Sequence, residues 1–215
     1  MAILVSTART EFEKLKRDIT DVSTGTFTSW CDYLNDFIYR KLSATDPERF
    51  ILTQAYSSVS ATPFQTSALP AAFKNISPEG TGFYIVESDG NTSRRLTRTG
   101  FGRRDRGFYI SGTDVVFTEV DGEDILLRYI PNNTAIDALT DYFTVDTTSG
   151  GVEIIPDEYL NYVIKALDVF YTQWDETSGA ESLADFRFTR VLNEIIDNIR
   201  KEPDAHQLND FSQVF

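Results

Sequence analysis

The chain has 215 residues, 41% of them apolar and 25% charged, with 20 Lys and Arg against 33 Asp and Glu and a net charge of −13. Such a length and composition give a globular chain with a sizeable core, one domain with room for a second small module, and exclude a disordered polyelectrolyte. The negative charge argues against general adhesion to DNA or to an anionic membrane, and a single cysteine, Cys31, excludes an intrachain disulfide framework or a cysteine-based zinc site.

The start "MAILVS" has no basic region before its short apolar run, so it reads as no signal peptide. No stretch approaches the roughly 18 apolar residues of a membrane helix. A soluble protein made inside the cell is expected. Phe12, Leu15 and Ile19 at helical spacing predict a first helix over residues 7–19. After the turn "DVSTGT", the apolar set Trp30, Tyr33, Leu34, Phe37, Ile38 and Leu42 predicts a second helix over about 28–42, with Ser29 and Asp32 as its capping box.

From Phe50 to Ile130 the pattern changes to period two with β-branched and aromatic residues. "GFYIV" (82–86), "GFYI" (107–110), "DVVFTEV" and "DILLRYI" read as strands, and Asp121–Gly122 reads as the hairpin turn between the last two. Between the first two lies "RRLTRTGFGRRDRG", residues 94–107. With Gly100, Gly102 and Gly107 in it, this strip reads as a long loop or an extended hairpin arm.

The C-terminal block returns to helical period. Pro156, Asp157 and Glu158 suit a first turn, and Tyr159, Leu160, Val163, Ile164, Leu167, Phe170, Tyr171 and Trp174 follow at three- and four-residue steps. Ser178 and Glu181 cap a last helix that buries Leu183, Phe188, Leu192, Ile195 and Ile199 and ends before Pro203. The expected fold class is therefore α+β: a helical bundle formed by N-terminal and C-terminal helix pairs, with an inserted antiparallel β-sheet or hairpin region. The divisions are 1–48 for the N-terminal helices, 49–131 for the β-rich insertion, 132–202 for the C-terminal helix pair and 203–215 for an extended tail.

Residues that carry chemistry are scarce. The single histidine, His206, lies past the last helix; a catalytic triad or a multi-histidine metal site would have to use it, and it reads instead as a solvated tail histidine. "GRRDRG" has the glycine spacing of a phosphate-binding loop, but Phe108 and Tyr109 stand where that loop needs Lys and Ser or Thr. "DGEDILL" lacks the remaining ligands of a calcium loop. The many carboxylates leave a paired-carboxylate hydrolase open, yet they are spread over helix faces and turns. No catalytic residue, metal or cofactor is expected. The aromatic stripes on the helices read as core or interface.

The arginine strip stands out. Arg94, Arg95, Arg98, Arg103, Arg104 and Arg106 are six of the chain's 20 basic residues, and with Asp105 the segment carries +5 against −18 elsewhere. Arginine throughout suits bidentate pairing with carboxylates or phosphates. The strip therefore reads as a binding arm for an acidic protein or for a phosphate backbone, with a solvated loop as the plain alternative.

Taken in order, several short segments resemble the head-to-tail connector, or portal adaptor, proteins of tailed bacteriophages. They are Trp30, Leu34 and Asn35 in the second helix; Leu69, Pro70 and Phe73 entering the sheet; Arg128, Tyr129, Ile130 and Pro131 closing a strand; and Pro156, Asp157, Glu158 and Tyr159 opening a long helix. The arginine loop and the long tail depart from the family's pattern. The resemblance implies a structural virion protein that is not an enzyme. It implies a homo-oligomeric, dodecameric ring at the head-tail junction, bound to the portal protein on one side and the next tail component on the other. DNA would pass through its channel without specific binding, and no membrane would be involved; the protein would be made in the host bacterial cytoplasm. In that setting the six arginines would engage the acidic face of a neighbouring protein, and Phe211, Val214 and Phe215 of the tail would anchor on a partner. The alternative is a nucleic-acid-binding module acting through Arg94–Arg106.

Overall fold

The computed structural model describes residues 1–16, 21–76, 80–87, 92–101, 103, 105–145, 151–175 and 181–201. The chain forms two compact units, one from Met1–Asp46 with Asn133–Phe215 and one from Pro47–Asn132.

In the first unit, α1 (Val5–Leu15) turns Val5, Ala8 and Phe12 inward at helical spacing, and α2 (Thr24–Thr45) does the same with Phe27, Cys31, Leu34, Ile38 and Leu42. A 3-10 turn over Asp157–Tyr159 leads into α3 (Leu160–Asp175), which buries Val163, Ala166 and Leu167. The last helix, α4 (Glu181–Lys201), buries Leu192, Ile195 and Ile199. Phe12 joins the helices, its ring 6.0 Å from Phe27 and 5.9 Å from Tyr171. Thr28, Asn35 and Thr144 are polar residues buried in this core: Asn35, on α2, donates to the Thr144 carbonyl at 3.3 Å, while Asp32 accepts from the Ile136 amide at 2.9 Å. These two bonds satisfy backbone groups of the irregular segment that follows residue 132. The second helix is capped by Ser23, whose hydroxyl accepts from the Thr26 amide at 3.0 Å, and not by the expected Ser29–Asp32 box. Ser29 instead donates back to the Gly25 carbonyl inside the helix.

The second unit contains six strands: β1 (Leu52–Ala68), β2 (Phe73–Asn75), β3 (Gly82–Val86), β4 (Thr92–Arg95), β5 (Gly107–Ser111) and β6 (Asp114–Pro131). β6 is the spine. It pairs with β1 along its whole length, with β5 near its start, and with β3 near its end. β4 joins β3, and the chain after β4 then hydrogen-bonds to β5, through Phe108 N–H to Thr97 O and Thr99 N–H to Phe108 O. The pairing thus runs from β6 through β5, residues 97–99, β4 and β3 back to β6, and the sheet closes on itself. Closure requires β1 and β6 to bend sharply. Ser58, Glu119 and Gly122 adopt positive φ at the bend, and the register shifts between Tyr56 and Phe64. The Tyr56 hydroxyl donates to the Ala68 carbonyl at 3.0 Å, although twelve residues of straight strand would span about 40 Å. Inside lie Phe83, Phe117, Ile125 and Leu127, with Phe83 4.4 Å from Phe108 and edge-on to Phe117.

The expected class, a helical bundle with an inserted sheet or hairpin, is corrected by this arrangement. The chain is an α+β fold dominated by an antiparallel sheet that has its own core. Two misreadings account for the difference. Residues 52–68, rich in Ser, Thr and Ala, lie in the stretch read as β-rich but were not singled out as a strand; they form the 17-residue β1. Asp121–Gly122 is no hairpin turn: the chain runs straight through it as β6, with Gly122 at φ +67 serving the bend. The two-residue hairpin link is Gly112–Thr113, with Gly112 at φ +62.

Candidate functional site

The arginine strip begins on β4, where Arg95 pairs with Tyr84 and Arg94 with Ile85 of β3. Leu96 then turns into the core and donates its amide to the Phe83 carbonyl at 2.7 Å. Residues 97–99 run against β5 so closely that a Cβ on Gly107 would lie 2.2 Å from the Thr97 oxygen. Only glycine fits there. The strip is therefore a piece of the closed sheet followed by a short connection, not the free hairpin arm that its composition suggests.

Arg94, Arg95, Arg98, Arg103 and Arg106 are all exposed. Arg106 forms an ion pair with Glu123 of β6. Among the described residues, no carboxylate pairs with Arg94, Arg95, Arg98 or Arg103. Arg95 is seated over β3, where a Cβ added to Gly82 would sit 2.6 Å from its Nε. Arg104, Phe211, Val214, Phe215 and His206 lie outside the described residues.

Beside Arg95 and Arg98 the surface opens into a cleft of about 370 Å³, lined by these two arginines with Thr97, Ile76, Leu96 and Phe108. Its floor is apolar and its rim is cationic. Close along the chain, Phe101 is 86% exposed and its ring meets Tyr109 edge-on at 5.4 Å. Sequence reasoning identified the arginines and missed the cleft and Phe101. A lone Phe between two glycines was the available signal, but its exposure is set by the fold.

The groups that could carry covalent chemistry are placed against it. Burial pushes the Cys31 thiol upward, with the neighbouring Asp32 charge adding to the effect, so it is held as a neutral thiol inside the helical core. Among the described residues no group of three or more His, Cys, Asp or Glu could hold a metal ion. Burial, aided by Tyr129, raises Tyr56 to about 12, and its hydroxyl is committed to the Ala68 carbonyl. Among the described residues no helix is long and apolar enough to cross a membrane. The arrangement is suited to binding: fixed cations around an apolar floor. No protein-family model matches the chain, and no curated protein matches it.

Proposed function

We propose that the chain is a head-to-tail connector of a tailed bacteriophage: a non-catalytic virion protein that forms a ring, commonly dodecameric, at the head-tail junction. The ring sits under the portal, extends the DNA channel and receives the next tail component. The protein is made in the host bacterial cytoplasm. The observation that carries the reading is the ordered set of segments around Trp30, Leu69, Tyr129 and Pro156. The placement of these segments supports it. Phe73 opens β2 opposite Pro131 at the end of β6, and its ring lies 5.9 Å from Tyr129, so two of the segments meet in space. Asn35 holds the segment after residue 132, and Pro156 caps the turn into α3. The net charge suits a channel along which DNA slides without sticking. The exposed arginines, with Phe211, Val214 and Phe215 of the tail, are assigned to protein partners.

Light scattering and negative-stain imaging of the purified protein, alone and with its portal, test the reading. Rings, alone or seated on the portal, are the expected result; a monomer indifferent to the portal contradicts it. A second reading, a nucleic-acid-binding module, draws on exposed Phe101 beside unpaired arginines, an arrangement on which bases can stack. It predicts duplex or single-strand binding that falls steeply with salt, by a log–log slope of about −0.9 per phosphate for duplex.

A further inference from the structure

We propose that the cleft between Arg95, Arg98, Ile76, Leu96 and Phe108 docks an acidic segment of another protein, one in which a carboxylate stands beside an aliphatic or aromatic side chain. The chemistry of the lining specifies both halves of that ligand. Arg95 and Arg98 are exposed and have no carboxylate partner among the described residues, while the floor is built from Ile76, Leu96 and Phe108. A carboxylate can pair bidentately with either guanidinium, and an apolar side chain can fill the floor. The cleft is also preorganised. The close approach of Gly107 to Thr97 fixes the backbone that carries Arg98. Less freedom is then lost on binding.

Exposed Phe101 adds an anchor on the same loop, in keeping with the aromatic and arginine make-up of interface hot spots. A phosphate backbone would satisfy the arginines and leave the apolar floor empty. An acidic protein segment meets the local field, since six of the nine basic residues of Pro47–Asn132 fall within Arg94–Arg106. The inference rests on the protein-partner reading of the arginines and not on the connector reading.

Fluorescence anisotropy with a labelled peptide, Gly-Asp-Phe-Asp-Leu-Glu-Gly, tests it on the full chain. The controls are the same peptide with Asn and Gln for its acids, the same peptide with Ser for Phe and Leu, a short oligothymidylate and a short DNA duplex. The acidic–apolar peptide should bind about tenfold or more tightly than either control peptide. The double variant Arg95→Ala/Arg98→Ala should lose about tenfold in affinity or more, with unchanged circular dichroism because both side chains are exposed. Ile76→Ser should abolish the advantage of the apolar peptide over its serine counterpart. If the peptide also competes with self-association that the double variant has lost, the acidic segment belongs to a second copy and the proposal stands. Equal binding of acidic and neutral peptides, or wild-type affinity in the double variant, overturns it. So does oligonucleotide binding that the double variant loses while the peptide fails to bind. Rings without peptide binding sink this inference alone, and peptide binding without rings sinks only the connector reading.

Discussion

In the helical unit eleven basic residues stand against twenty-three acidic ones; in the sheet unit nine stand against ten, and six of those nine lie between Arg94 and Arg106. Among the described residues the helical unit keeps its interior mainly to aromatic and aliphatic packing, with Thr28, Asn35 and Thr144 as its buried polar residues and the Asn35 amide donating to the Thr144 carbonyl. The sheet unit gathers its cations on one strand and one connection, next to an apolar cleft. Nearly all of the negative charge thus belongs to one unit, and the concentrated positive charge to the other. The overall −13 conceals a chain that offers both halves of an ionic contact.

The largest test of the comparison is alkaline titration, which strikes both units. Burial raises Tyr39 in the helical unit and Tyr56 in the sheet unit, each to about 12, and raises Tyr129 as well. Their folded pKa values lie above the unfolded value near 10. The stability they contribute is complete below pH 10 and is lost as pH rises toward 12. Both far-ultraviolet dichroism and phenolate absorbance should show unfolding in that window, and a tyrosine titration complete near pH 10 with no lagging fraction contradicts it.

Core truncation separates the units. Phe117→Ala removes a fully buried ring from the sheet core, and Leu34→Ala does the same for the helical core; the costs should be about 3–5 and 2–5 kcal/mol by denaturant titration. Gly107→Ala drives a Cβ against the Thr97 carbonyl and should cost about 1–3 kcal/mol. It should also loosen the closure of the sheet, read as faster hydrogen exchange at the Phe108 and Thr99 amides. Smaller again, Ser23→Ala removes the cap of α2 and should cost about 0.5–2 kcal/mol, while Ser29→Ala should cost less, because Ser29 caps nothing.

The two units also differed in how far they could be read from sequence. Helices advertise themselves by period: the set read from sequence on α2 shares Leu34, Ile38 and Leu42 with the buried face, but it left out Phe27 and Cys31 and included Tyr33, which is 53% exposed. Their caps were less legible, since Ser23 and Ser29 both precede suitable residues and only the helix start decides between them. β1 fell within the broad β-patterned stretch from Phe50 to Ile130 but was not singled out as a strand. Its Ser, Thr and Ala side chains are mostly exposed, and what makes it a strand is the backbone ladder to β6, which leaves no mark in composition. Asp121–Gly122 was read as a hairpin turn, but it lies inside β6, where Gly122 takes positive φ at the bend. The arginines of the site were legible one by one. The cleft was not, because Ile76, Leu96 and Phe108 come together only when residues 97–99 lie against β5.

The central claim is that the exposed side chains of Arg95, Arg98 and Arg103 serve binding and contribute almost nothing to folding. The most direct measurement compares Arg95→Ala/Arg98→Ala/Arg103→Ala with the wild type for thermal stability and for assembly across a salt series. The account predicts stability within about 0.5 kcal/mol of wild type, as for exposed side chains with no carboxylate partner among the described residues. It also predicts weaker assembly on itself or on its partner, with a shallower salt dependence. A large loss of stability with assembly intact would contradict it.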